Sequence, residues 1–478
     1  MTCSDSNLFP KCHINSLPVE ILARIFEETR HVSGPENDPE HEDDQYTAPP
    51  FPIPLCHITK YWSEVAIATS SLWTSIDSET CRPYLSLYLE RSRQQCLNIE
   101  ATLLAGDLSA FMALFMNRII EHVARWRTLT VRASFDPSEG CDDFVVIVGS
   151  LEHLAAPRLE MLSFTACDNV GMFREDVSVY PANIFTGGAP ALQSVVIQDV
   201  PPGNCLPPLA SVTHLGMSNL RVSFGGRLDT FVMRGRTDNL RAAFAAAHSL
   251  ESLTMNWVAF DVVPDGPIHI PSLRCLDIRA FTNSGPNNLD SSRPTLRSIH
   301  APGLQELKIS DCTINVLPPI FDFIRSEHMF PGLRSLSIHF LIKPPPSPIP
   351  ASIFDATPNI EELSILGADA FVVLQDLVGM MTSTDRLVWP NLHALELYCH
   401  ASALVNGDLE VEPMLRELIA DRVDRGKPIH RLAVFPGILS HGGTLRIQEL
   451  CPQTQLCLPP DRSGYILNAG RSRTWSEL

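Results

Sequence analysis

Long apolar runs are missing from this chain of 478 residues. None approaches the ~18 residues of a membrane span, and the run at 144–151, one of the longest, has the length of a strand. The opening residues, MTCSDSNLFP, hold no basic stretch followed by an apolar one, so no secretory leader is expected. No Asn-x-Ser/Thr triplet occurs. The 13 cysteines include no C-x-x-C pair, and Cys451 and Cys457 fall outside zinc-ligand spacing. Reduced thiols in the cytoplasm or nucleus are the expectation. Positive charge is scarce too. With 36 Lys+Arg against 54 Asp+Glu the net charge is −18, which argues against unspecific binding to nucleic acid or to an anionic membrane.

Signatures of catalysis are also lacking. No H-E-x-x-H, G-x-S-x-G, Walker loop or dinucleotide fingerprint occurs, and Gly225-Gly226 and Gly442-Gly443 are isolated glycine pairs that read as turns. His393 and His400 lie beside one expected strand, but no Cys or Asp accompanies them at ligand spacing. The expectation is a protein that is not an enzyme and that uses no cofactor and no metal. Charged residues make up only 19% and hydrophobic residues 45%, enough for a large core.

What the chain has in excess is proline: 39 residues, about 8% where ~5% is usual. Several sit with an acidic cluster (Glu36, Asp38, Glu40, Glu42, Asp43, Asp44) in the segment 33–54, which reads as a flexible acidic loop. The stretch KPPPSPIP at 343–350 reads as an extended surface loop. Nine of the others recur in a pattern. Two residues after a Pro comes Leu or Ile, and apolar residues follow three and five positions later. Pro157 leads Leu159, Leu162 and Phe164; Pro190 leads Leu192, Val195 and Ile197; Pro271 leads Leu273, Leu276 and Ile278. The series continues from Pro294, Pro302, Pro331, Pro358, Pro390 and Pro413, and two segments lack the Pro (Val212, Leu215, Met217 and Leu250, Leu253, Met255).

Pro has no N–H and a fixed φ, so it suits the first position of a strand, and residues two apart in a strand face the same side. The spacing is therefore the L-x-x-L-x-L core of a leucine-rich repeat. Leading residues at 304, 333, 360 and 392 are spaced 29, 27 and 32 apart, leaving room for helices, which the periodicity predicts at 239–247, 320–328, 371–381 and 414–423. The expected class is α/β: a helical N-terminal part, then an irregular leucine-rich-repeat-like solenoid of short parallel strands.

The N-terminal part has its own period. Positions 17, 21, 22, 25 and 26 share a helical face with Pro18 in the first turn, and Leu55, Ile58, Trp62, Val65 and Ala66 repeat the spacing. Further helices are predicted at 82–93 and 108–126, with a strand near 97–101. LPVEILARIF at 17–26 resembles the first helix of the F-box, and LCHITKYWSEVAIATSSLW at 55–73 resembles its second half, with Thr59 where the family usually has Cys. YLERS at 88–92 resembles the segment that follows the motif in fungal-type F-box proteins, which commonly carry an acidic insertion and irregular leucine-rich repeats. The expected organisation is an F-box-like motif over 10–80 with its acidic loop 33–54, a mainly helical connecting region 81–126, a repeat solenoid 127–450 and a tail 451–478.

The resemblance implies a substrate receptor of an SCF (Skp–cullin–F-box) ubiquitin ligase. It would bind the Skp-type adaptor, and through it a cullin, by Leu17, Pro18, Ile21, Leu22, Ile25, Phe26, Leu55, Ile58, Trp62, Leu72 and Trp73, some of which belong instead to the motif's own core. The repeats would hold an unknown protein substrate, with Glu160, Gln193, Arg274, Glu306, Arg334, Glu361 and His393 as candidates between the inward positions. The alternative is a ligase-independent interaction scaffold whose helical part only caps the solenoid.

Overall fold

The computed structural model describes residues 14–32, 50–78, 82–103, 109–135, 142–168, 181, 183–198, 204–218, 237–256, 267–279, 296, 299–312, 317–340, 352–367, 374–375, 378–379, 387–398, 411–434 and 455–457. The chain is a mixed α/β protein that divides into two compact units, one of residues 1–169 with 184–192 and one of 170–183 with 193–478.

In the first unit α1 (Val19–Val32), α2 (Ile53–Cys56) and α3 (Lys60–Ala68) precede a single-turn helix at Ser70–Trp73. Then come β1 (Ser75–Asp77), α4 (Leu85–Arg91), β2 (Leu97–Leu103), α5 (Ser109–Ile120), β3 (Trp126–Phe135), α6 (Asp142–Ser150) and β4 (Met161–Asp168). Strands β1 to β4 pair in parallel in chain order. The ladder thus begins at Ser75, inside the segment expected to be helical.

The apolar run at 144–151 forms helix α6 instead of a strand. Phe144, Ile147, Val148 and Leu151 are all buried at helical i, i+3, i+4, i+7 spacing, while Val146 is 62% exposed. That one-sided burial outweighs the strand preference of its valines and isoleucine.

The second unit holds β5 (Ser194–Gln198), β6 (His214–Ser218), α7 (Thr237–Ala246), β7 (Ser252–Asn256), β8 (Ile268–His269), β9 (Cys275–Arg279), β10 (Ile299–His300) and β11 (Glu306–Cys312). It continues with α8 (Leu317–Glu327), β12 (Ser335–Phe340), α9 (Ser352–Ala356), β13 (Glu362–Gly367), β14 (Ala394–Tyr398), α10 (Val411–Asp424), β15 (Arg431–Val434) and β16 (Gln455–Cys457). Its sheet is parallel and runs β5-β6-β7-β9-β11-β12-β13-β14-β15-β16, each strand beside its predecessor, and β8 and β10 form a separate parallel pair.

Register explains the repeat. Leu253, Leu276, Leu307, Leu336, Leu363, Leu395 and Leu432 align as one column across the rungs and are all buried. Met255, Ile278, Ile309, Ile338, Ile365, Leu397 and Val434 form a second buried column two residues on. A pleat that alternates faces turns both columns to the same side, where they stack into one core.

Three expectations need correction. Proline does not occupy the first strand position; it stands four residues earlier, as in Pro271 before Cys275. There it is the second residue of a β-turn, closed by bonds such as Leu159 N–H to Ala156 O at 3.2 Å, Leu273 to Ile270 at 3.2 Å and Leu333 to Phe330 at 3.2 Å. Its fixed φ near −65° is the value that position requires. The Pro294 instance supplies β10, which lies outside the main ladder. The Pro413 instance is helix α10: Pro413 falls in the first turn, where the missing N–H costs nothing, and Leu415, Leu418, Ile419 and Arg422 are buried at helical spacing.

The expected tail contributes β16, and Ile429, Leu432 and Val434 give β15 the repeat spacing, with Pro428 one residue ahead of the leading Ile429 instead of two. Residues 33–49 of the acidic loop, the 343–350 loop and most of the helix predicted at 371–381 lie outside the described residues, whereas Ile53 and Pro54 open α2.

Candidate functional site

The two halves of the N-terminal motif pack on each other. Tyr61 Oη donates to Leu17 O at 2.7 Å, Trp62 Nε1 to Asn15 Oδ1 at 2.7 Å, and Ser71 Oγ to Glu27 Oε1 at 2.6 Å. The Phe26 and Trp62 rings lie 5.0 Å apart. Thr59 is the N-cap of α3, in extended backbone, its hydroxyl accepting from Trp62 N–H at 3.1 Å. A hydroxyl does this work better than a thiol would, because Ser, Thr, Asp and Asn are the strong N-cap residues.

Burial sorts the eleven candidate contact residues into three groups. Leu22, Phe26, Leu72 and Trp73 are core, at 0–1% exposure. Trp73 is held from several sides: Nε1 donates to Ala66 O at 2.8 Å, Tyr88 meets its ring edge-on at 5.2 Å, and the Arg91 guanidinium sits 4.4 Å from the ring centre. Leu17, Ile25, Leu55 and Trp62 are half-buried. Pro18, Ile21 and Ile58 are exposed, Ile21 at 51% and Ile58 at 53%. Sequence reasoning missed three further exposed apolar side chains in this region, Ile14 at 44%, Val19 at 46% and Ile67 at 38%. Their signal was present but unused: Val19 and Ile67 lie off the buried faces of α1 and α3, where a helix without a partner would carry polar residues.

The outward face of the strand ladder is the second candidate. Six of the seven expected residues (Glu160, Gln193, Arg274, Arg334, Glu361 and His393) occupy one equivalent position, directly after the buried leading Leu or Ile. Backbone bonds link that position from rung to rung: Arg334 N–H to Gln305 O at 2.9 Å, Glu361 to Arg334 at 2.7 Å, His393 to Glu361 at 2.9 Å and His430 to His393 at 2.8 Å. Glu306 is one residue further on, the first of β11, and Gln305 takes its expected place.

The charges on this face answer one another. Arg334 lies 3.5 Å from Glu361, Lys308 3.1 Å from Glu306, and Arg431 3.7 Å from Glu362 and 3.6 Å from Glu396. Ser310 and Ser364 donate to Asp277 and Glu396 at 3.1 and 3.2 Å. Acid and base alternate, so these rungs form neither an acidic nor a basic patch. Burial pushes the Cys275 thiol up to about 12, which keeps it protonated and unreactive at neutral pH. Among the described residues no group of three or more His, Cys, Asp or Glu comes together as a metal site. No protein-family model matches the chain, and no curated protein matches it.

Proposed function

We propose that the chain is the substrate-recognition subunit of an SCF-type ubiquitin ligase, docking a Skp-type adaptor through its N-terminal motif and a protein substrate through its repeats. The observation that carries the docking half is a folded helical motif that leaves Ile14, Val19, Ile21, Ile58 and Ile67 exposed while packing Leu22, Phe26, Leu72 and Trp73. Apolar side chains set off in this way from a complete core are what a helix-docking interface uses. Burying the remaining half of an isoleucine contributes about 1 kcal/mol, so several together support a stable complex. The repeat half is supported by the L-x-x-L-x-L columns and by an outward row of polar residues, one per rung. That display suits recognition of a protein surface better than binding of a small molecule.

Co-expression with a Skp-type adaptor followed by size-exclusion chromatography tests the docking. The wild type is expected to co-elute with the adaptor. The double variant Ile21→Asp, Ile58→Asp is expected to elute alone with an unchanged circular dichroism spectrum, since each side chain is about half exposed and a buried carboxylate at the interface costs several kcal/mol. No co-elution of the wild type, or undiminished co-elution of the variant, would return the reading to a ligase-independent scaffold.

A further inference from the structure

Strands β8 and β10 repeat a short pattern, Ile268-His269-Ile270-Pro271 and Ile299-His300-Ala301-Pro302, just ahead of the turns that lead into β9 and β11. They pair in parallel with Ile268 opposite Ile299 and His269 opposite His300. Both isoleucines are buried, at 5% and 2%, so strand alternation turns both imidazoles outward on the same side. The register is held by Ile270 N–H donating to His300 O at 3.0 Å. The bridge between Ala155 and Gly188, each two residues before a turn proline, occupies the same position in other units. Here the fold sets two histidines there.

The Nδ1 atoms are 2.9 Å apart, the ring centres 4.4 Å apart and the planes inclined by 65°. An in-line N–H···N bond of that length would hold the ring centres about 5.2 Å apart. The shorter separation means that the contact is not an in-line bond, and at least one ring nitrogen aims away from the other. Two imidazoles bound at ~2.05 Å to one ion at a right angle have nitrogens about 2.9 Å and ring centres about 4.5 Å apart. A tetrahedral angle would need about 3.3 Å and 5.2 Å instead.

We propose that His269 and His300 form a two-imidazole chelate for a divalent transition ion with right-angled coordination, of the Cu²⁺ or Ni²⁺ class. Each neutral ring keeps its proton on Nε2 and offers Nδ1, and water completes the coordination shell. The ion clips successive repeat units together, and because the rings meet only in the folded chain, its binding stabilises the fold.

Isothermal titration of Ni²⁺ into the full chain, free of any polyhistidine tag, tests the site against the single variants His269→Asn and His300→Asn. The wild type is expected to show a binding event, and a rise in melting temperature with Ni²⁺, that both variants lose while their metal-free melting curves match the wild type. Identical isotherms for all three chains, or no Ni²⁺ uptake by the wild type, would overturn the site. Cu²⁺ bound to the unmutated chain supplies a readout independent of the variants. Its paramagnetic resonance spectrum is expected to show two imidazole nitrogens, and one or none would count against the chelate.

Discussion

Arg422 is fully buried, and its guanidinium makes four hydrogen bonds, all to backbone carbonyls. Nε reaches Lys427 O at 3.1 Å, Nη1 reaches Val388 O at 3.3 Å, and Nη2 reaches Trp389 O at 3.2 Å and Leu392 O at 2.7 Å. The end of α10 is thereby locked to the turn before β14, and Trp389 carries the link onward through Nε1 to Thr357 Oγ1 at 3.1 Å. Burial lowers the Arg422 pKa to about 10, with Asp421 opposing the shift. A base whose pKa falls on folding makes stability drop as pH falls from the ordinary guanidinium range towards 10, and leaves it flat below, where both states are charged. Neutral-range pH dependence therefore does not report on this residue. Substitution does. Arg422→Met removes a donor from four carbonyls, of which Trp389 O keeps another in Leu392 N–H, and is expected to cost about 3 kcal/mol or more, read as a lower urea midpoint, and Arg422→Lys recovers less than half because a point charge cannot reach all four. An unchanged midpoint for Arg422→Met would contradict this role. In the sequence Arg422 looks like an ordinary basic residue at a helix C-terminus, because nothing local reveals that its partners lie some thirty residues back.

Strands and turns show where local pattern suffices. Residues three and five positions after a leading Leu or Ile share a face in any extended segment, so the columns of the sheet follow from spacing alone. The same local rule has a blind spot. An i, i+3 pair of apolar residues satisfies both the repeat and a helix, which is why Leu415 and Leu418 fit a strand template while forming part of α10. Only the further positions, Ile419 and Arg422, separate the two. Turn chemistry misleads in a milder way: proline marks the approach to a strand, but through its fit at the second position of a β-turn. Gly367 closes β13 with φ at 112°, and a Cβ there would run into Phe340 O on the neighbouring strand. Gly367→Ala is expected to destabilise by about 2 kcal/mol or more, from backbone strain and from the displaced carbonyl together. Denaturant unfolding that matches the wild type would show that the rung relaxes freely.

At the scale of the whole chain, the proposed docking and recognition would fall to surfaces of different character. The N-terminal motif offers exposed isoleucines, and the repeat rungs offer paired charges and hydroxyls. The two roles should then separate by point mutation. In proximity labelling with the full chain, Ile21→Asp with Ile58→Asp is expected to lose the adaptor and cullin neighbours and to keep the neighbours captured through the repeats. Loss of both sets together would mean that the motif is needed for more than docking. Net charge of −18 suits neither surface to a polyanion.

By itself the sequence determined the α/β class, the parallel rungs and the helical motif ahead of them, because apolar periodicity and turn residues act within a few positions along the chain. Tertiary structure alone decided which apolar residues of that motif are core and which stay exposed, since Leu22 and Ile21 are adjacent in sequence and differ only in what the rest of the chain covers. It decided equally that His269 meets His300 and that Arg422 meets the turn before β14. Those contacts are set by register between successive units, and register is a property of packed neighbours that no short segment carries.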